Sequence, residues 1–67
     1  MELKELFTVG SIHELHPATD AWMQGDRFGE ITKLDQGKNL VHVRMNVSRR
    51  LLKVHPDNIL HKGNRNP

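Results

Sequence analysis

The stretch Asn39-Leu40-Val41-His42-Val43-Arg44-Met45-Asn46-Val47 alternates apolar and polar residues more regularly than any other part of the chain. Successive side chains of a strand point to opposite faces, so Val41, Val43, Met45 and Val47 fall together and Leu40, His42, Arg44 and Asn46 fall opposite them. A strand with one apolar face needs neighbours and a core, and the flanking sequence supplies them. On its N-terminal side Phe28-Gly29-Glu30-Ile31-Thr32-Lys33-Leu34 reads as a strand leading into the turn Asp35-Gln36-Gly37-Lys38, with Gly37 available for a positive φ. On its C-terminal side a tight connection near Asn46-Val47-Ser48-Arg49 reverses the chain into Arg50-Leu51-Leu52-Lys53-Val54-His55. There Leu52 and Val54 share one face, and Leu51, Lys53 and His55 share the other. His55-Pro56-Asp57-Asn58 ends that strand, because proline cannot donate to a ladder and Asp-Asn favours a turn. Ile59-Leu60-His61 reads as a last short strand.

Upstream the pattern is looser. Residues 9–15 alternate around Ile12 and form a candidate first strand, interrupted by His16-Pro17. From there to Arg27 the chain is polar and irregular around Trp22 and Met23. It reads as a long loop with one helical turn after Thr19, closing on the turn signal Gly25-Asp26. Leu3, Leu6 and Phe7 recur at helical spacing in a segment too short for a free helix. We therefore divide the chain into an N-terminal arm over 1–9, a small β-barrel domain over 10–61 and a flexible polar C-terminal tail over 62–67. The arm's apolar face is expected to dock on the body or on a partner.

With 67 residues the chain makes one small domain with a thin core. It has no cysteine, which excludes disulfides, thiolate metal sites and thiol nucleophiles. No apolar run approaches the roughly 20 residues that cross a bilayer. The N-terminus, Met1-Glu2-Leu3-Lys4-Glu5, is acidic and lacks an apolar stretch behind it, unlike a signal peptide. The expectation is a cytoplasmic protein without membrane association.

Charge is unevenly laid out. Residues 1–32 carry two Lys/Arg against six Asp/Glu, a net of −4, and residues 33–67 carry eight against two, a net of +6, which together return the overall +2. Such asymmetry points to an anionic partner, nucleic acid above all, unless the halves neutralise one another in the fold.

The order of strand, long loop, strand, tight turn, strand, hairpin, strand, Pro-Asp-Asn turn and short strand describes an all-β, five-stranded, partly open barrel. At Gly25-Asp26-Arg27-Phe28-Gly29-Glu30-Ile31 and Val54-His55-Pro56-Asp57-Asn58-Ile59, over residues 10–61, the chain resembles the Src-homology-three-like barrels. Within them it is most similar to the KOW and Tudor types, and short phage or bacterial proteins of unassigned function have the same look. The first stretch resembles the glycine-aspartate entry and second glycine of KOW strands; the second resembles the proline-containing helical turn before the last strand of these barrels. The resemblance is architectural and implies no catalytic residue. Proline-rich peptide docking and methyl-lysine cages use several aromatics, whereas this chain has only Phe7, Trp22 and Phe28 and no tyrosine.

Two non-enzymatic functions are legible. In the first, Lys33, His42, Arg44, Lys53 and His55 on the polar strand faces, with Lys38, Arg49 and Arg50 at the turns, bind the phosphate backbone of RNA or DNA by charge. In the second, Leu3, Leu6, Phe7, Trp22 and Met23, or a sheet edge, dock on a larger host protein or on a second copy in a homodimer. His13-x-x-His16 with Glu14 or Asp20 has metal-ligand spacing but no cysteine beside it, so neither a metal nor another cofactor is expected. Ser11 and Ser48 sit in no nucleophile elbow, and Asp20, Asp26 and Glu30 lack an expected pocket, so no catalysis is expected either.

Overall fold

The computed structural model describes residues 2–60. The expected last-strand residue His61 and the tail at 62–67 lie outside the described residues. The strands are β1 (Ile12–Leu15), β2 (Phe28–Asp35), β3 (Leu40–Met45), β4 (Leu51–Val54) and β5 (Ile59–Leu60). One short helix, α1 (Asp20–Met23), lies between β1 and β2, and 3-10 turns occupy Leu3–Glu5 and Pro56–Asn58. All strand pairings are antiparallel and form one five-stranded sheet in the order β4-β3-β2-β1-β5, curled into a half-barrel.

The concave side is the core. Ile31, Val41, Val43, Met45, Val54, Leu15 and Ile59 are buried there, as the alternation of β3 requires. Gly29 faces inward opposite Met45, where a Cβ would sit 2.9 Å from the Arg44 carbonyl oxygen and closer still to Val43 Cγ1. Only glycine lets β2 and β3 approach this closely. Val47 departs from the alternation expected of it and is 67% exposed. The strand stops at Met45, and 46–50 form a turn with Arg49 in the left-handed region, φ 67°. In the β2–β3 turn the positive φ falls on Asn39, at 56°, and not on Gly37; asparagine tolerates that region.

The N-terminal segment lays its apolar face on the body of the fold. Leu3 and Phe7 are inside the core at 1% and 2% exposure, Leu6 packs against it, and the Leu3 backbone N–H donates to Gln36 Oε1 at 2.6 Å. Phe7 also meets the buried His13 ring edge-on, centroids 5.4 Å apart. At α1, Thr19 caps the helix by accepting from the Trp22 N–H, at 3.3 Å, and Ala21 and Trp22 pack partly against the core.

A β-bulge in β2 decides the side of the sheet on which Lys33 emerges. Ile31 pairs with Val43 and Lys33 with His42, leaving Thr32 unpaired between them. Plain alternation would put Lys33 on the core face with Ile31. The extra residue turns Lys33 outward and Leu34 inward opposite Val41, and Thr32 Oγ1 donates to the His42 carbonyl at 3.3 Å.

Candidate functional site

The convex face can be read from the registers as rows of neighbouring side chains. One row is Ile12, Glu30, Arg44 and Leu51 across β1 to β4; the next is Lys33, His42 and Lys53 across β2 to β4. Glu14 opposite Phe28, and Asp35 opposite Leu40, complete the β1–β2 side. The face therefore divides by charge. Its β1–β2 half carries Glu14, Glu30 and Asp35, and its β3–β4 half carries Arg44 and Lys53, with Lys33 at the border.

This division has a plain origin in the chain. Residues 36–56, which span both turns and the β3–β4 hairpin, contain Lys38, Arg44, Arg49, Arg50 and Lys53 and not one carboxylate. Lys38 and Arg49 lie in the turns at opposite ends of β3, so the cations are strung along one hairpin at a sheet edge. Among the described residues Lys4 pairs with Glu2 at 3.5 Å, and His55 Nδ1 lies 3.6 Å from an Asp57 carboxylate oxygen. Neither draws on Lys33, Lys38, Arg44, Arg49 or Lys53.

Three of the residues expected on this face are drawn elsewhere or set apart. Hydrogen bonds from the Ser48 side chain and backbone hold the Asp26 carboxyl below the usual range, and the positive charge of Arg50 adds a smaller pull in the same direction. The Ser48 N–H reaches Asp26 Oδ1 at 2.9 Å, tying the loop before β2 to the β3–β4 turn. His55 caps the 3-10 turn, its Nδ1 accepting from the Asp57 N–H at 3.2 Å. His42 is half-buried in the cationic row, and its Nε2 is shielded from solvent with no hydrogen-bond partner.

The residues expected to meet a protein partner are scattered. Leu3 and Phe7 serve the core and are closed to a partner in this fold, and Leu6 is half-buried against them. Trp22 is half-buried, donates from Nε1 to Glu14 Oε2 at 3.2 Å, and carries the Arg27 guanidinium 4.0 Å over its ring. Met23 remains 65% exposed. The candidate metal pair is likewise engaged: His13 is buried with Nδ1 at 3.1 Å from the Leu60 carbonyl and Nε2 at 3.0 Å from Ser11 Oγ, and His16 Nδ1 accepts from Ala18 N–H at 3.0 Å. No group of three metal-capable side chains gathers among the described residues. Among them, too, no helix is long and apolar enough to cross a membrane.

Two features of the site escape a reading by alternation. The Thr32 bulge brings Lys33 to His42, and the run from 36 to 56 gathers five cations without an acid among them. The second was open to inspection as a gap between Asp35 and Asp57. No family model, curated protein or solved structure matches this chain.

Proposed function

We propose that the protein is a non-enzymatic binding module of the small Src-homology-three-like type that holds the phosphate backbone of nucleic acid along its β3–β4 hairpin. The observation that carries this reading is the acid-free run from 36 to 56, in which the side chains of Lys38, Arg44, Arg49 and Lys53 form no ion pair among the described residues. Cations strung along an extended β-ribbon suit a polyanion, and such contacts are charge-driven and largely indifferent to sequence. The strand order with a 3-10 turn between β4 and β5 supports the barrel assignment. The non-enzymatic reading is supported by the structural employment of the candidate catalytic groups: Ser11 Oγ donates to the Thr8 carbonyl, and Asp26 anchors the Ser48 turn.

The test is binding of a labelled single-stranded oligonucleotide by the parent and by an Arg44→Glu, Lys53→Glu double variant. The parent binds more weakly as salt rises, and the variant loses binding severely. Equal affinity of parent and variant rejects the hairpin as the interface. A protein-docking reading is favoured by one observation, the exposure of Met23 beside Trp22. A pull-down from native lysate separates the two. Nuclease-sensitive recovery supports the nucleic-acid reading, and one stoichiometric protein band that survives nuclease replaces it.

A further inference from the structure

We infer that Lys33, His42 and Lys53 form a seat for one phosphodiester group, with His42 Nε2 as the directional donor and the two ammonium groups supplying charge. The inference rests on the polyanion reading of the hairpin and adds to it a defined place and a hydrogen-bonding residue.

Three observations carry it. First, Lys33 and Lys53 are the direct cross-strand neighbours of His42 from β2 and from β4, so the imidazole lies between two ammonium-bearing side chains. Second, His42 Nε2 has no hydrogen-bond partner although it is shut off from solvent, and among the described residues it is the one buried side-chain nitrogen or oxygen in that condition. Such an atom is costly to leave unmet and usually answers to a ligand or water. The contrast with His13 is direct, because both ring nitrogens of that buried imidazole have partners within the chain. Third, the seat depends on an irregularity of the sheet. Without the bulge at Thr32, Lys33 would point into the core, and the Thr32 hydroxyl holds the carbonyl of His42 itself. Bulges of this kind re-aim side chains beside functional sites.

The charges around the row agree with an anion. Within it there is no carboxylate. Glu30 lies in the adjacent row, directly across from Arg44, and Asp35 lies opposite Leu40 with Oδ1 accepting from the Lys38 N–H at 3.2 Å. A neutral imidazole in the Nε2–H tautomer donates to a phosphoryl oxygen, and the lysine side chains are long and exposed enough to part around it. A phosphodiester carries a single negative charge, which the two ammonium groups more than balance. The same oxygens belong to free phosphate, so the test includes both.

The experiment titrates the whole protein with deca-thymidylate, and separately with inorganic phosphate, while long-range proton–nitrogen NMR follows His42 Nε2. The oligonucleotide is expected to shift that nitrogen at saturation. His42→Phe, which keeps a ring but no donor, is expected to weaken binding about tenfold without changing the salt slope, because it removes a hydrogen bond and no fixed charge. His42→Gln restores a donor and part of the affinity. The double variant Lys33→Gln, Lys53→Gln lowers the magnitude of the salt slope by about 0.7, the share of one phosphate of a single strand. An unmoved Nε2 together with full affinity in His42→Phe overturns the seat and leaves the hairpin reading standing. Absence of oligonucleotide binding by the parent at low salt overturns both. Saturation by inorganic phosphate with no tighter binding of the oligonucleotide keeps the seat for free phosphate and removes the nucleic-acid reading.

Discussion

Replacing Phe7 by alanine tests whether the N-terminal segment is part of the folding unit or an appendage. The ring is 2% exposed, belongs to the same apolar cluster as Ile31, Val41 and Val43, and meets His13 edge-on. Truncating a fully buried phenylalanine costs about 3–5 kcal/mol in lost transfer energy and cavity. A chain of 67 residues has a total stability of about 3–10 kcal/mol at the usual per-residue values. The substitution therefore removes a third or more of the stability, and at the low end of the range all of it. In urea, with a slope of about 1 kcal/mol per molar for so small a domain, the midpoint falls by about 3 M or the protein is unfolded in buffer. Phe7→Leu keeps most of the volume and loses mainly shape fit and the ring pair, about 1–2 kcal/mol. Equilibrium unfolding followed by far-UV circular dichroism reads both. An alanine variant whose midpoint stays within about 0.5 M of the parent, half a kcal/mol at that slope, shows that the Phe7 ring contributes nothing to the core.

Other perturbations probe the sheet and its irregular points. Gly29→Ala forces a methyl against Val43 and the Arg44 carbonyl. It should cost about 1–3 kcal/mol and lower Tm by roughly 5–20 °C in a thermal scan; an unchanged Tm would mean that β2 does not approach β3 there. The Asp26 carboxyl is held below its ordinary value of 3.8, chiefly by Ser48. Its contribution is thus present above about pH 4 and lost as pH falls through the lower folded value. Urea midpoints of the parent should drop in that acid window, and Asp26→Asn should be less stable at neutral pH and flatter in acid; parallel pH profiles would discount the Ser48 tie. Deleting Thr32 removes the extra residue and makes Ile31 and Lys33 neighbours, so plain alternation keeps Ile31 inward opposite Val43 and Lys33 outward opposite His42, and cooperative unfolding and oligonucleotide binding should both persist. Loss of binding by a deletion variant that still unfolds cooperatively would contradict this pairing.

How much of this was legible in the chain depends on the range of the forces involved. The inward set Val41, Val43, Met45, Leu52 and Val54 follows from period-two alternation, and the stop at Pro56 follows from proline's missing donor; both are local properties. Val47 continues the apolar alternation beyond the strand although the chain reverses there, and the Asp26–Ser48 contact, between residues 22 apart, helps hold the segment as a turn. Threonine suits a regular strand and a bulge equally, so the side on which Lys33 emerges is settled by pairing with β3. Leu3 and Phe7 show their helical spacing, but their destination is the interior of a half-barrel assembled from later residues. The eight basic or imidazole residues read as one face prove to be a narrower group. Arg50 leans on Asp26, His55 caps a turn, and three carboxylates share the convex face on its β1–β2 side. The division of charge between halves of the chain survives folding as a division between halves of one sheet face.

A cationic hairpin that takes up a polyanion by charge makes oligonucleotide affinity fall as salt rises. If two to four phosphates of a single strand are neutralised, with Lys33 and Lys53 sharing one and Lys38, Arg44 and Arg49 taking one each, log affinity against log salt has a slope between about −1.4 and −2.8. Reversing Arg44 and Lys53 together should flatten that line. Affinity that does not change with salt, or a slope that survives the double reversal, would contradict the account.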